Sequence, residues 1–309
     1  PGMGKYFGYF RQINRQKGRG KSRFIVGHIF PLGTALYLYS RFHRLNYAVI
    51  LHGLDFSRAT QSLCRRVLTR KILAKAGSII CANSYTQKQV AVFLKTGTDK
   101  IYVVNPGASA PDNLSEIDRM AGQLKKDLIP DSSKVVFSLG RLVARKGFDS
   151  LIKSFSRPDY SDKILVIAGT GPDESRLKQL ARGKKNIIFR GRISETEKWA
   201  WLKICDFFAL VSRDIEGDYE GFGIVYLEAA LMGKAVLAGR AGGVSDAVLD
   251  QRTGILVDGQ KQKEIDQALD SLMADTKFCE KLGQQGKKRA EIEFSLSRQV
   301  NRIQQILSL

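Results

Sequence analysis

The chain has 309 residues, of which 43% are hydrophobic and 26% charged, and it carries a formal net charge of +20. One hydrophobic core organises at most roughly 250–300 residues, so two domains are expected, and the composition excludes a collagen-like or wholly disordered chain. Apolar runs reach only five or six residues, which excludes a membrane-spanning helix of about 20.

In the first half, short apolar runs alternate with helix-length segments, as in a βαβ architecture with parallel sheets. Strands are predicted at 24–30, 47–51, 78–82 and 101–104. Helices are predicted near 33–44, 58–76 and 86–94. The segment 105–115 is rich in Pro, Gly, Asp and Asn, a composition typical of a linker. We therefore expect a first domain over residues 1–110.

The second half restarts the same alternation, which predicts a second domain over residues 111–294. Its strands are predicted at 135–139, 164–168, 186–189, 207–211, 235–238 and 254–257. Ser194 and Glu197 are predicted to form a capping box, in which both side chains accept from free backbone N–H groups of the helix that follows. The tail is predicted to be helical near 261–274, 276–291 and 296–308.

The four cysteines are widely spaced and contain no C-x-x-C pair, so neither a disulfide framework nor a zinc site is indicated. We expect reduced cysteines in a cytoplasmic protein. The three histidines share no metal-ligand spacing with the cysteines. No metal cage is therefore predicted.

The positive charge is concentrated in the first domain. Residues 1–110 carry 18 Lys and Arg against two acids, hence +16, whereas residues 111–309 carry 32 against 28, hence +4. Such a field attracts the phosphates of nucleic acid, of an anionic membrane or of a phosphorylated lipid, or it merely keeps the protein solvated. Aromatic residues precede the basic stretch 11–23, but no known nucleic-acid motif follows. Nucleic acid is therefore the least supported of these partners.

Ligands of open α/β sheets bind beyond the carboxyl ends of the strands, so the loops that follow the strands of the second domain are the place to look. Arg141 and Lys146 lie in the first of these loops, just before a helix whose free N–H groups would help them bind an anion. Taken alone, this pattern favours two solvated cations. In the second loop, Gly169 either lets the backbone approach a ligand or makes a tight turn.

The third loop is the most informative, because two acids frame a glycine-flanked helix start. Glu220 lies just before the helix and Glu228 lies about one and a half turns inside it, so the two carboxylates cannot play one role. Glu228 suits a pair of ligand hydroxyls. The backbone N–H groups at the helix start are predicted to form an anion cradle. The cradle residues are Gly221, Phe222, Gly223, Ile224 and Val225.

These blocks carry a family resemblance. The E-x7-E pair Glu220 and Glu228 lies within EGFGIVYLEAALMGKAVLAG, preceded by GRLVARKG and followed by AGGVSDAV and TGILVDG. In this order and spacing the blocks resemble the retaining nucleotide-sugar glycosyltransferases of family 4. Upstream, VILHGLD, AGSIICANSYTQKQV and KIYVVNPGAS are similar to the second part of that family's N-terminal domain, and EFSLSRQVNRI is similar to its closing helix.

The resemblance implies an α/β fold of the GT-B type, in which two Rossmann-like parallel-sheet domains face each other across a cleft. The closing helix, over residues 295–309, would cross back to the first domain. Nothing before residue 24 matches the strand, Gly-rich loop and helix with which family members open. About two βαβ-type steps, roughly 60–80 residues, are therefore expected to be absent, by truncation or because the acceptor domain is reduced.

The resemblance also assigns roles to single residues. Arg141 and Lys146 match the cations that neutralise the donor diphosphate in place of a metal, so no metal or other cofactor is expected. Glu228 matches the position that holds the donor ribose hydroxyls, and Glu220 the position beside the hydroxyls of the transferred sugar. His52 matches a histidine of the first domain that reaches the sugar. Further donor contacts are implied for Gly221, Phe222, Gly223, Gly169, Arg192 and Ile193.

The expected function is transfer of a hexose, with retention, from a nucleoside-diphosphate sugar to a glycan or lipid-linked acceptor in polysaccharide or glycolipid synthesis. The sequence slightly favours a UDP-hexose, and GDP-mannose is the alternative. The basic first domain suggests peripheral attachment to the inner face of the cytoplasmic membrane. Same-face departure and attack is expected, with Glu220 as a covalent nucleophile the competing idea. A non-catalytic basic module that binds membranes or nucleic acid is the alternative from a different class.

Overall fold

The structure is a computed structural model that describes residues 3–17 and 24–308. The chain forms two compact units. The first unit runs to Pro106 and resumes at Gln299, and the second unit is Gly107–Arg298. The chain thus passes between the units twice, a few residues from the boundaries expected at 110 and 294.

The first unit contains a four-stranded parallel sheet in the order β1-β2-β3-β4. Its strands are β1 Phe24–Val26, β2 Tyr47–Leu51, β3 Ser78–Cys81 and β4 Ile101–Val103. Its helices are α1 Met3–Lys17, α2 Thr34–Phe42, α3 Leu54–Ala59, α4 Leu63–Lys75 and α5 Ser84–Leu94. Apolar side chains of the strands and of these helices form one buried core.

Two elements of the first unit differ from the prediction. The strand expected over 24–30 ends at Val26, because the chain turns at Ile29–Gly33, where Pro31 has no N–H for a ladder bond. The helix expected over 58–76 is interrupted between α3 and α4. The Thr60 hydroxyl donates to the carbonyls of Phe56 and Ser57, at 3.1 and 3.0 Å. This side chain thus bonds to the end of α3, a local bond that competes with helix continuation.

The second unit contains a six-stranded parallel sheet in the order β10-β9-β8-β5-β6-β7. Its strands are β5 Val135–Leu139, β6 Ile164–Ala168, β7 Ile187–Gly191, β8 Phe207–Leu210, β9 Ala235–Gly239 and β10 Ile255–Val257. Its helices are α6 Leu114–Leu128, α7 Phe148–Phe155, α8 Glu174–Leu180, α9 Glu195–Ile204, α10 Ile224–Leu231, α11 Val244–Ala247, α12 Gln262–Ala274 and α13 Thr276–Glu293. Most of the strand side chains are fully buried in one large apolar core.

The order of these strands defines a switch point. From the central pair β5 and β8, strands β6 and β7 extend one way and β9 and β10 the other. The loops after β5 and β8 therefore diverge at the carboxyl edge of the sheet, which is where doubly wound folds bind ligands.

A glycine shows how closely these two loops approach. Gly147 ends the loop after β5 with a φ of +73°, a left-handed conformation that glycine adopts without steric cost. A Cβ at this position would collide with the backbone carbonyl of Val211, in the loop after β8. The two loops are thus in backbone contact at the switch point.

The predicted capping box of α9 is half correct. The Ser194 side chain accepts from the backbone N–H of Glu197 at 3.1 Å. The Glu197 carboxylate does not cap the helix, because it accepts from Arg190 Nε at 2.9 Å and from Trp201 Nε1 at 3.2 Å. The Glu197 carboxylate thus bonds to an arginine of β7 and not to a backbone N–H group.

The last helix, α14 Leu296–Ser308, begins in the second unit and belongs to the first unit from Gln299 onward. Ile306 is buried against Ile80 and Val104 of the first unit. No helix in the described part of the chain is long and apolar enough to cross a membrane.

Candidate active site

An ion-pair cluster at the switch point joins the loops after β5 and β8. Glu220, from the loop after β8, accepts through Oε2 from Lys146 Nζ and, at 3.0 Å, from Arg145 Nη1. Ser212 Oγ lies 3.5 Å from the same oxygen. Arg145 also reaches Asp218, with 3.1 Å between Nε and Oδ1. Lys146, Arg145, Glu220 and Asp218 are called the switch-point cluster below.

The central pair of this cluster is shielded from water, since Lys146 and Glu220 are each 8% exposed. Burial by itself raises the pKa of the Glu220 carboxyl, but Lys146 and Arg145 outweigh burial and hold this pKa below its usual range. Glu220 is therefore a carboxylate at neutral pH. A buried acid stays ionised only when nearby opposite charges compensate it.

The two oxygens of Glu220 have different surroundings. Among the described residues, every hydrogen bond to the Glu220 carboxylate goes to Oε2, and Oε1 has no partner there. Oε1 is also absent from the fully buried, unsatisfied atoms of that part of the chain. One oxygen is thus anchored, and the other can accept a hydrogen bond from a ligand hydroxyl.

The second carboxylate, Glu228, has its own cation. It lies on α10, and its Oε1 accepts from Lys198 Nζ at 2.6 Å. Lys198 lies on α9, is 8% exposed and also pairs with Glu195 Oε2 at 2.7 Å. Burial lowers the pKa of Lys198, but the two carboxylates reverse this and raise it. In the described part of the chain Glu228 Oε2 has no partner, so this acid too keeps an open oxygen.

The predicted cradle residues lie at the start of α10. Gly223 precedes the helix with a φ of +83°, and the first backbone N–H groups of a helix have no acceptor within it. Ile224 is 47% exposed, whereas Phe222 is buried and packs on Phe294 with ring centroids 5.8 Å apart. The side chain of Phe222 therefore has a packing role, and any ligand contact falls to the backbone.

Several predicted residues lie outside these two ion-pair groups. Arg141 and Arg192 are exposed, and no described residue bonds or pairs with either side chain. Ile193 packs against the core. Gly169 has a φ of +122°, and a Cβ there would collide with the Gly140 carbonyl, so the backbone conformation and this close approach both require a glycine.

His52 lies in the first unit, directly after β2. Its side chain is exposed, and its backbone N–H donates to Asp55 Oδ1 at 2.9 Å.

The structure thus brings Lys146 and Glu220 together, pairs Glu228 with Lys198, and leaves Arg141 open to solvent.

Three residues of the site were not predicted: Arg145, Asp218 and Lys198. Arg145 adjoins Lys146, but its partner Glu220 is 75 residues away along the chain. Lys198 lies three residues after Glu195, a helical spacing that indicates an ion pair. That spacing does not reveal Glu228, 30 residues further on.

The acids near the site do not form a metal cage. Within residues 3–17 and 24–308, no group of three or more His, Cys, Asp or Glu side chains could hold a metal ion. Asp214 is exposed and accepts from the backbone N–H of Gly217 at 2.9 Å, as part of a turn.

The chain is similar to known sugar transferases. Residues 122–289, more than half of the chain, match the family model described as "Glycosyl transferases group 1". The chain is 36% identical over 191 residues to a GDP-mannose-dependent monoacylated alpha-(1-6)-phosphatidylinositol monomannoside mannosyltransferase of Corynebacterium glutamicum, covering 59% of this chain and 49% of that protein. It is 38% identical over 160 residues to a GDP-mannose-dependent alpha-(1-6)-phosphatidylinositol monomannoside mannosyltransferase of Mycolicibacterium smegmatis, covering 50% and 42%. The chain thus spans about half the length of these relatives.

The fold matches that of solved structures. The structure of Anabaena HepE in complex with UDP aligns with a TM-score of 0.78 and 18% identity, over 97% of this chain and 81% of that one. At this identity the likeness concerns the fold alone, and it confirms the predicted α/β fold of the GT-B type with two parallel sheets. Together with the family match, it leads to one conclusion: the chain belongs to the group 1 glycosyl transferases.

Proposed function

We propose that this protein transfers mannose from GDP-mannose to a lipid-linked or glycan acceptor, with retention at the anomeric carbon and without a metal ion. The single observation that carries the proposal is the switch-point cluster, in which Glu220 is anchored through one oxygen and open at the other. The donor preference follows the two relatives named GDP-mannose-dependent, at 36% and 38% identity. It replaces the slight preference for a UDP-hexose that the sequence motifs suggested.

The proposed roles follow from charge and accessibility. Arg141, Lys146 and the backbone N–H groups that open α10 would neutralise the diphosphate, a task often given to a metal ion. The open Oε1 of Glu220 would accept from a hydroxyl of the transferred sugar. The open Oε2 of Glu228 would accept from a ribose hydroxyl. His52 stays a prediction of the resemblance, tested by the transfer rate of His52→Ala.

For the reaction we propose departure and attack on the same face of the sugar. The bond from the anomeric carbon to the phosphate oxygen breaks, and the bond to the acceptor oxygen forms. The acceptor proton passes to the departing phosphate. A covalent intermediate on Glu220 is less well supported, because retaining glycosidases pair the nucleophile with a second carboxyl that acts as the acid. Of the other acids of the site, Glu228 is paired with Lys198 and Asp218 with Arg145.

Calorimetric titration with GDP, GDP-mannose, UDP and UDP-glucose, each with and without EDTA, tests the donor. We expect saturable binding of the guanine nucleotides, unchanged by EDTA. A bond to a charged group contributes about 1.5–3 kcal/mol, so Glu228→Ala should weaken GDP by at least about tenfold and 2′-deoxy-GDP by much less.

Two results would contradict this proposal in different ways. Tighter binding of the uracil nucleotides would restore the UDP-hexose assignment. If the folded protein binds none of the four, there is no donor site, and a basic module that binds membrane or nucleic acid becomes the better explanation.

We further propose that the first unit attaches to the anionic cytoplasmic face of a membrane. Residues 1–110 have a net charge of +16. Two helices that contact each other, α2 and α4, expose large apolar side chains, with Phe42 84% and Leu63 81% exposed. Exposed arginines lie within three residues of them along the chain, namely Arg41, Arg44, Arg65 and Arg66. Apolar side chains among cations are typical of surfaces that insert at anionic headgroups.

Sedimentation with vesicles tests this surface. The protein should pellet with phosphatidylcholine–phosphatidylglycerol vesicles and stay in solution with phosphatidylcholine alone. Burying a large apolar side chain contributes about 1.5–3 kcal/mol, so Phe42→Ser should reduce binding by at least about tenfold. Val92→Ser is the matched control, because Val92 is 79% exposed on α5 of the same unit. Equal effects of the two changes, or salt-sensitive binding of RNA in place of vesicles, would contradict the proposal.

A further inference from the structure

Glu220 has two cations where one would balance its charge. Lys146 and Arg145 both donate to Oε2, and the two differ in how they are held. Arg145 is fixed at both sides, by Asp218 through Nε at 3.1 Å and by Glu220 through Nη1 at 3.0 Å. Within the described residues the Lys146 side chain has no partner except Glu220. Arg145 is therefore held by two carboxylates and Lys146 by one.

We propose that Arg145 is a positioning residue: it is the permanent counter-ion of Glu220 and thereby frees Lys146 to bind the diphosphate of the donor. This inference rests on the proposed function, since it requires a nucleoside diphosphate at the switch point. It assigns roles to Arg145 and Asp218, to which the sequence motifs assign none.

The reason is the cost of an uncompensated buried charge. Glu220 is 8% exposed, and a buried ion whose partner is removed strongly destabilises the protein. If Lys146 were the only cation, turning toward a phosphate would leave Glu220 in that state. With Arg145 in place, Glu220 keeps a counter-ion when Lys146 turns away.

The identity of Arg145 fits this task. A planar guanidinium can bond two carboxylates at once through fixed N–H groups, whereas an ammonium is a compact point charge on a flexible stem. Arg145 uses two of its nitrogens in this way. Lys146 keeps donors to spare, because an ammonium has three N–H groups.

A double-mutant cycle on GDP binding tests the inference, with Arg145→Met, Glu220→Gln and the double variant. Arg145→Met should weaken GDP by at least about tenfold, because Lys146 must then stay with Glu220. In the Glu220→Gln background no charge needs compensation, so the same change should weaken GDP by less than about twofold. GMP, which lacks the second phosphate, should respond less. Arg182→Met is the matched control, an exposed arginine of the same unit without a side-chain partner among the described residues.

Asp218→Asn provides a second test if Arg145→Met folds poorly, because the Asp218 side chain is 51% exposed. It should weaken GDP less than Arg145→Met does, and Glu220→Gln should abolish the effect. Equal losses in both backgrounds would mean that Arg145 touches the phosphate or only supports the fold, and would overturn the inference alone. Absence of nucleotide binding by the folded unmodified protein would overturn the proposed function, and this role with it.

Discussion

Replacing Glu220 by alanine is expected to lower the free energy of unfolding of the second unit by about 3 kcal/mol, because it leaves a buried lysine without a counter-ion. Lys146 is 8% exposed and has no other partner in the described part of the chain. Urea unfolding followed by tryptophan fluorescence isolates this unit. The chain has two tryptophans, Trp199 and Trp201, and both lie buried on α9.

Glu291→Ala is the control, since Glu291 is an exposed acid of α13 and a surface change is expected to stay within about 0.5 kcal/mol. The pKa of Glu220 is lower in the folded protein than its usual value. The stabilisation should therefore be complete above the unfolded-state pKa of about 4.3 and should be lost as the pH falls through the lower folded-state pKa. Equal midpoints for the Glu220→Ala and unmodified proteins at neutral pH would show that the cluster does not stabilise the fold.

Arg141→Ala is expected to cause a large loss of transfer and no loss of stability. Arg141 is exposed and has no partner among the described residues, so the free energy of unfolding should change by less than about 0.5 kcal/mol. If Arg141 neutralises the departing diphosphate, the turnover number should fall by about 10²–10³, as when one donor to a developing negative charge is removed.

Steady-state transfer rates and urea unfolding of the same protein sample check this prediction. Arg182→Ala removes an exposed arginine from elsewhere in the second unit and should leave both quantities unchanged. A normal turnover number in Arg141→Ala would remove Arg141 from the site and leave the diphosphate to Lys146 and the backbone.

The parallel strands were predictable because their apolar runs are short, buried and bounded by turn residues. In the second unit each predicted strand lies within two residues of the observed one, and the last three helices also match closely. One error lies where the apolar pattern continues beyond the end of a strand. The strand expected over 24–30 ends at Val26, and the apolar residues that follow enter a turn that ends beyond Pro31.

The motif positions of the candidate site were predictable, but their partners were not. The motifs identify Lys146 and Glu220, and free N–H groups at a helix start follow from local sequence. The assignment of Arg145 to Glu220, and of Lys198 to Glu228, depends on which strands lie side by side in the sheet. Pairings across 75 and 30 residues leave no periodic signal in the chain.

The return of the last helix to the first unit has a consequence for how the protein is made. Ile306 forms a buried cluster with Ile80 and Val104, so the first unit lacks part of its core until the residues that follow the second unit have been synthesised. The second unit is one continuous stretch, Gly107–Arg298, and can fold as soon as it leaves the ribosome, because domains generally fold as units during synthesis. On the ribosome, the first unit is therefore completed only after the second unit has been synthesised.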